Sequence, residues 1–320
     1  MRNPHSIIID RHLAGHTLLE ILQRGMRLSR KAALQALGNQ QVRISGGVCT
    51  DPQRRLKIGH HVQLDQAEKS ADVLPEIARQ IVVRYLDEEI LVVEKPAGLT
   101  TVRHAEEAES FGRRAKKFLP PTLVDLLPAV LKHHKQSFSG RLRAVHRIDK
   151  ETSGLVILAR TPEAESHLGK QFRAHTIGRH YLALVRGQAK DERIESYLVR
   201  DRGDGRRGSG TAAEGQKAIT HVRVVEPLGD FTLVECRLET GRTHQVRIHL
   251  GEQGTPLCGE RVYDRPLNGQ PLPDRSGAKR PMLHAAYLAV DHPRSGKRLD
   301  WHSELPKDMK ELRKKLQPRQ

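Results

Sequence analysis

Residues 220–239 read THVRVVEPLGDFTLVECRLE. Two runs rich in Val, Thr and Phe flank Pro227-Leu228-Gly229-Asp230, a turn-forming tetrad, so the segment reads as a hairpin. Outward from it lie further strand-like runs: IVVRYL at 81–86, ILVVE at 90–94, LVILA at 155–159 and YLALVR at 181–186. Helical patterns are interspersed. Thr161-Pro162 opens one with Ala164, Leu168 and Phe172 on a single stripe, and Leu305, Met309, Leu312 and Leu316 mark another near the C-terminus. Strands that arrive in hairpins with helices between them predict an α+β fold. Its sheet should be mixed and largely antiparallel rather than doubly wound and parallel.

The first 65 residues read as a separate small module. Thr17-Leu18-Leu19-Glu20 has the capping-box pattern, with Gly25 as a stop. Ser29 can cap a second helix with Ala33, Leu34 and Leu37 on one face and Gly38 at its end. QVRISGGVCT reads as a hairpin around Gly46-Gly47, with LKIGHHVQL available to pair with it. Arg24, Arg27, Arg30, Lys31 and Arg43 fall off the apolar faces. Residues 66–80 lose periodicity and read as a linker, leaving 81–320 as the large domain.

The chain has 320 residues, long enough for such a pair of domains. Its 55 Lys and Arg against 38 Asp and Glu leave a formal net charge of +17. That excess suits a polyanionic partner, since phosphate neutralisation rewards Lys and Arg whatever sequence is bound. Aromatic residues are only 3% of the chain, too few for a broad base-stacking platform, so single placed rings must serve. Cys49, Cys236 and Cys258 form neither a disulfide framework nor a CxxC pair, as a reducing compartment allows. The polar N-terminal MRNPHSIIIDRHLAGH lacks the run of a signal peptide, and no window suits a membrane span. A cytoplasmic, monomeric protein is expected. His60/His61 and His133/His134 lack metal-ligand spacing, so no metal is expected.

Two patterns mislead. Residues 203–208, GDGRRG, satisfy GxGxxG, but the flanks are YLVRDR and SGTAAEGQ and no helix pattern follows, so they read as a basic surface loop. His146-Arg147-Ile148-Asp149 is a kinase HRD with one residue inserted, and no other kinase element accompanies it.

Two dense polar runs remain. AVHRIDKETSGLVILAR, 144–160, puts Asp149 in a polar turn just before an apolar strand, a location where a carboxylate's reactivity can be controlled. ETGRTHQVRIHL, 239–250, follows another strand and supplies two guanidiniums and two imidazoles. An Arg within reach of the Asp would keep it ionised.

These residues resemble the RluA-type pseudouridine synthases. HRIDKETSGLVILA is similar to the HRLDxxTSG signature, RHYLALVRG at 179–187 to the tyrosine motif, and GRTHQVRIHL to the third motif. ILVVEKPAGL, THVRVV, PLCGE at 256–260 and MLHAAYLAV at 282–290 follow in the expected order. The N-terminal module resembles an S4 RNA-binding domain. The resemblance implies a pseudouridine synthase core, no cofactor and no metal. It implies conversion of uridine to pseudouridine in RNA, with large-subunit ribosomal RNA as the expected substrate and transfer RNA as the alternative. It assigns Asp149 as the catalytic aspartate, nucleophile or base. Tyr181 is assigned to stack on the target base, Arg247 to pair with Asp149, and Arg147 and Leu283 to bind substrate. Arg24, Arg27, Arg30, Lys31 and Arg43 become expected RNA contacts. Arg179 stands where the family usually has Lys, Ile148 replaces Leu, and the stretches 103–140 and 200–216 are unusually charged or Gly/Arg-rich.

Overall fold

The computed structural model describes residues 6–38, 41–64, 74–103, 119–136, 140–202, 205–267 and 269–318. They divide into two compact units, one within residues 1–73 and 104–120, the other comprising 74–103 and 121–320. Residues 104–118 and 137–139 of the charged stretch 103–140, and Gly203-Asp204 of the GxGxxG pattern, lie outside the described residues.

The smaller unit follows its local signals closely. β1 (Ser6–Ile8) is followed by α1 (Leu18–Glu20), continued by a π-helical turn over Ile21–Gly25. The capping box is formed: Thr17 N–H donates to the Glu20 carboxylate at 2.8 Å, and Glu20 N–H to the Thr17 hydroxyl at 3.3 Å. α2 (Arg30–Gly38) starts where Ser29 Oγ accepts from Ala32 N–H at 3.1 Å. β2 (Val42–Ile44), β3 (Gly47–Val48) and β4 (His61–Leu64) complete a four-stranded antiparallel sheet in the order β1-β4-β2-β3. Leu18, Ile21, Leu22, Ala33, Leu37, Val42 and Val62 form its core.

The larger unit is an eleven-stranded sheet. In the segment 74–80, expected as linker, Glu76–Arg79 forms α3 and Ala78 packs into this unit's core. A single helical turn is too short to show a 3.6-residue period, so the sequence concealed it. Then come β5 (Val82–Leu86), β6 (Ile90–Lys95), α4 (Leu123–His133), β7 (Arg143–Ala144), β8 (Ser153–Ala159) and α5 (Pro162–Arg173). β9 (Gly178–Arg186), β10 (Glu192–Val199), β11 (Gly208–Gly210), β12 (Gln216–Leu228) and β13 (Phe231–Leu238) follow. α6 (Gln245–Glu252), β14 (Leu283–Asp291), β15 (Arg298–His302) and α7 (Lys307–Leu316) end the order.

The strand order is β11-β10-β12-β13-β9-β14-β8-β6-β5, with β15 on β14 and β7 on β8. Among the described strands every pairing is antiparallel except β14 with β8. That seam joins two half-sheets. Gly154 sits on it with φ +112°, and a Cβ there would overlap the backbone of Ala285. The strand needs glycine at this close approach.

Helices cover both faces, which is why LVILA reads as an unbroken apolar run. Val156 and Leu158 pack on Leu123, Leu127 and Leu131 of α4, while Leu155 and Ile157 meet Ala164 and Leu168 of α5. Met309 and Leu312 of α7 cover Leu184 and Leu233. The polar run 239–250, whose sequence shows little core content, instead folds into helix over its second half. Val246, Ile248 and Leu250 of α6 are all buried.

Two buried histidines give the fold a pH dependence. His249 lies between the hydroxyls of Thr220 and Ser196, at 2.9 and 3.0 Å, and His284 between those of Ser153 and Ser303, at 2.9 and 3.0 Å. Burial pushes both down to about 4 from the usual 6.5. Below pH 6.5 the unfolded chain therefore binds more protons, and stability falls as pH drops towards 4. Each neutral imidazole contributes ~1.4 kcal/mol per pH unit in that window, so the pair contributes ~3 kcal/mol per pH unit. Urea unfolding at pH 7, 6 and 5 tests this, and equal stabilities at pH 7 and pH 5 would contradict it.

Candidate active site

The turn that carries Asp149 is fixed from below. Ile148 is buried in the core, and its carbonyl accepts from the Thr101 hydroxyl at 2.8 Å. Thr152 N–H closes the turn on the Asp149 carbonyl at 3.1 Å. Lys95 is only 1% exposed, and its ammonium donates to the carbonyls of Pro96, Leu99 and Lys150 at 2.9, 2.7 and 3.1 Å. The end of β6 and the Pro96-Ala97-Gly98 turn that follows are thus tied to Lys150, the residue next to Asp149. Beyond the turn, β8 enters the seam with β14.

Opposite stands α6. His244, the residue before it, takes a left-handed conformation with φ 59°. Arg247 extends from the first turn and divides its guanidinium. Nε and Nη2 donate to the two oxygens of Glu260 at 2.7 and 2.9 Å, and Nη1 reaches Asp149 Oδ2 at 3.4 Å. The Glu260 side chain is fully buried, and its Oε1 also accepts from the backbone N–H groups of Arg261 and Val262 at 3.1 and 3.0 Å. Burial works against its charge, yet the hydrogen bonds and charge of Arg247 hold its carboxyl below the usual range. Burial likewise opposes the Arg247 cation, and Glu260 more than compensates, raising its affinity for the proton. Tyr263 lies under the guanidinium, 5.2 Å from ring centre to Cζ, and shares a 2.8 Å hydrogen bond with His244 Nδ1. His244 Nε2 is 3.8 Å from Asp149 Oδ1. Burial lowers the His244 imidazole below its ordinary value, with Asp149 pulling the other way.

These groups open on a cavity of about 500 Å³. Arg147, Asp149, Tyr181, Arg247 and Leu283, far apart in sequence, all line it. Tyr181 comes from β9 and pairs with Ala285 of β14, and it lines the cavity together with Leu283 of that same strand. Burial raises the Tyr181 hydroxyl above its usual value, so it stays neutral. Arg173, Arg179 and Arg242 join Arg147 in making the wall cationic, while burial and the charges of Arg179 and Arg242 lower the His175 imidazole below its ordinary value. Among the described residues, Asp149 is the only carboxylate lining the cavity. The arrangement offers one carboxylate as nucleophile or base, an aromatic and aliphatic surface for a planar group, and cations for an anionic backbone.

Sequence reasoning places Asp149, Arg247, Tyr181 and Leu283 in one site but assigns Arg247 a single partner. The structure gives it two. Glu260 is visible within PLCGE and His244 within GRTHQVRIHL, both without a role, and Tyr263 does not stand out in the sequence. Their contacts run between a loop and a helix, so no periodicity links them. Arg24, Arg27, Arg30 and Lys31 lie exposed on the smaller unit, while Arg43 is half-buried and donates to the Gly46 carbonyl at 3.3 Å.

Comparison with known proteins matches residues 89–252 to the family model described as RNA pseudouridylate synthase. The Ribosomal large subunit pseudouridine synthase D of Zymomonas mobilis is 39% identical over 238 residues, 72% of this chain and 71% of its own. The RNA pseudouridine synthase YlyB of Bacillus subtilis is 36% identical over 296 residues, 89% of this chain and 88% of its own. Among solved structures, Human RNA Pseudouridylate Synthase Domain Containing 4 superposes with a TM-score of 0.58 at 21% identity. It covers 75% of this chain and 94% of its own, and shares the fold. The protein is therefore an isomerase that acts on RNA. It belongs to the RNA pseudouridylate synthase family, among the RluA-type enzymes.

Proposed function

We propose that this enzyme converts specific uridines of large-subunit ribosomal RNA to pseudouridine, with Asp149 as the reacting group. One observation carries the reading: the sole carboxylate among the described lining residues is paired with Arg247 and shares the cavity with Tyr181 and Leu283. A uridine inside a helix is out of reach, so the nucleotide must be extruded and its base laid on something flat. Tyr181 and Leu283 offer that surface, and Arg147, exposed beside Asp149, faces the RNA.

The chemistry needs no outside reagent. The bond from N1 to C1′ breaks, a bond from C5 to C1′ forms, C5 loses a proton and N1 gains one. Asp149 acts either as nucleophile or as base in this exchange. Hydrolytic release of uracil would instead call for a protonated carboxyl to assist departure. Glu260 is the carboxylate that shares Arg247 with Asp149, and Arg247 holds it ionised and buried, so it cannot donate. A base that never leaves the cavity is the outcome this favours.

The substrate reading rests on the relatives named for the large ribosomal subunit. Its test is pseudouridine mapping on unmodified transcripts of large-subunit ribosomal RNA and of transfer RNAs. Modification of transfer RNA alone would overturn it.

Residues 1–65 act in this reading as an S4-like RNA-binding module, and 81–320 as the catalytic domain. Arg24, Arg27, Arg30, Lys31 and Arg43 contact phosphates. Replacing all five by Gln should weaken RNA binding and reduce the slope of log affinity against log salt by roughly 0.9 for each phosphate no longer neutralised. The turnover rate at saturating RNA should persist. Unchanged affinity and slope would make those residues an ordinary solvated face.

A further inference from the structure

Three arginines among the described residues of the larger unit are more than nine-tenths buried: Arg179, Arg186 and Arg280. Two are saturated by the protein. Arg186 donates to the carbonyls of Leu257, Glu260 and Leu272 at 3.2, 3.1 and 2.5 Å. Arg280 pairs with Asp308 through Nε and Nη2, at 2.7 and 3.0 Å, and donates to the Glu151 carbonyl at 3.1 Å.

Arg179 has nothing comparable. Its Nε is buried without a hydrogen-bond partner, and among the described residues no ion pair or hydrogen bond reaches its guanidinium. The fork lies over the Phe172 ring, 5.6 Å from Cζ to the ring centre, and against Gly241, where a Cβ would overlap Nη1. A cation–π contact contributes about 1–2 kcal/mol and satisfies no donor. A buried, unpaired cation costs several kcal/mol. Burial weakens the hold of Arg179 on its proton, and the charge of Arg242 adds to that, so an anion would relieve both.

The cavity is where that anion would come from. Arg179 lines it two residues before Tyr181 on β9, so both side chains point to the same face, about 7 Å apart along the strand. That separation matches the reach from a base to its own nucleotide's phosphate. We propose that Arg179 grips the RNA phosphodiester next to the extruded uridine, and so sets the base over Tyr181 with its sugar at Asp149. The proposal rests on the reading of Tyr181 and Asp149 above. The planar fork explains why Arg suits the position: it can lie flat on Phe172 while two parallel N–H groups face a phosphate.

The experiment compares wild type with Arg179→Gln, Arg179→Lys and Gly241→Ala under single turnover. The probe is a transcript of whichever RNA the wild-type enzyme modifies in the mapping assay. Failure of the ribosomal reading therefore leaves this test intact. Arg179→Gln should raise the RNA concentration for half-maximal rate ~10-fold. It should also reduce the salt slope by about one unit without lowering the melting temperature. Arg179→Lys should recover part of the loss. Gly241→Ala keeps the arginine but displaces its fork, so it should fail in the same direction, and it carries the test if Arg179→Gln does not fold. Inorganic phosphate should compete with RNA in the wild type and lose that effect in Arg179→Gln. If half-maximal concentration and salt slope are unchanged in both Arg179→Gln and Gly241→Ala, the proposal is overturned. A lowered melting temperature with an unchanged salt slope would overturn it too, leaving Arg179 a structural cation on Phe172.

Discussion

Asp149→Asn should abolish pseudouridine formation, lowering the single-turnover rate by ~10³-fold or more, while RNA affinity stays within about threefold of wild type. The substitution is nearly isosteric. The turn should survive it, because the contacts that fix the turn use the backbone: the Asp149 carbonyl accepts from Thr152, and its neighbour Ile148 is held by Thr101. What changes is chemical. An amide is neither a nucleophile nor a base at neutral pH, and no other carboxylate lines the cavity among the described residues. Binding is spared because the cations on the wall remain, and one negative charge has been removed from a surface that meets phosphate. Quantifying pseudouridine after a single turnover, with RNA affinity measured in parallel, gives both numbers. Turnover within tenfold of wild type would remove Asp149 from the chemistry.

Much of this architecture can be read from local signals, for reasons that differ between elements. The smaller unit announces itself because its caps are satisfied within four residues, as Thr17 with Glu20 and Ser29 with Ala32 show. The β12–β13 hairpin is legible because Leu228 pairs with Phe231 across a two-residue turn, so one breaker explains both strands. α6 is not legible. It is covered on all sides, so it lacks an amphipathic stripe. Its polar residues are satisfied far away in sequence: Gln245 donates to the Ile219 carbonyl and the Thr220 hydroxyl, both at 3.0 Å. A polar residue looks like surface until its buried partner is known. The same holds in the cavity. Motifs mark Asp149 and Tyr181, whereas the division of Arg247 between Glu260 and Asp149, and the isolation of Arg179, exist only in three dimensions.

Arg247→Ala should produce two separable losses, one of stability and one of rate. Removing the guanidinium strands Glu260, whose side chain has no exposure, and breaking a buried pair in this way costs about 3–5 kcal/mol. The three backbone N–H groups that face Glu260 soften the penalty without cancelling it. The rate should fall ~10²-fold or more. Asp149 would lose the one cation among the described residues that lies within 4 Å of its carboxylate and stays charged at every working pH. A second substitution distinguishes the two effects. In Arg247→Met with Glu260→Gln, no buried charge is left unpaired, so most of the stability should return. The rate should not, since nothing restores the cation beside Asp149. Arg247→Lys keeps the charge but cannot span both carboxylates, because a single ammonium lacks the fork that reaches Glu260 with two nitrogens and Asp149 with the third. It should recover stability in part and rate only slightly. Melting temperature and single-turnover rate across these three variants check the scheme. Recovery of rate in the double variant would mean that Arg247 serves the fold alone and that Asp149 needs no partner.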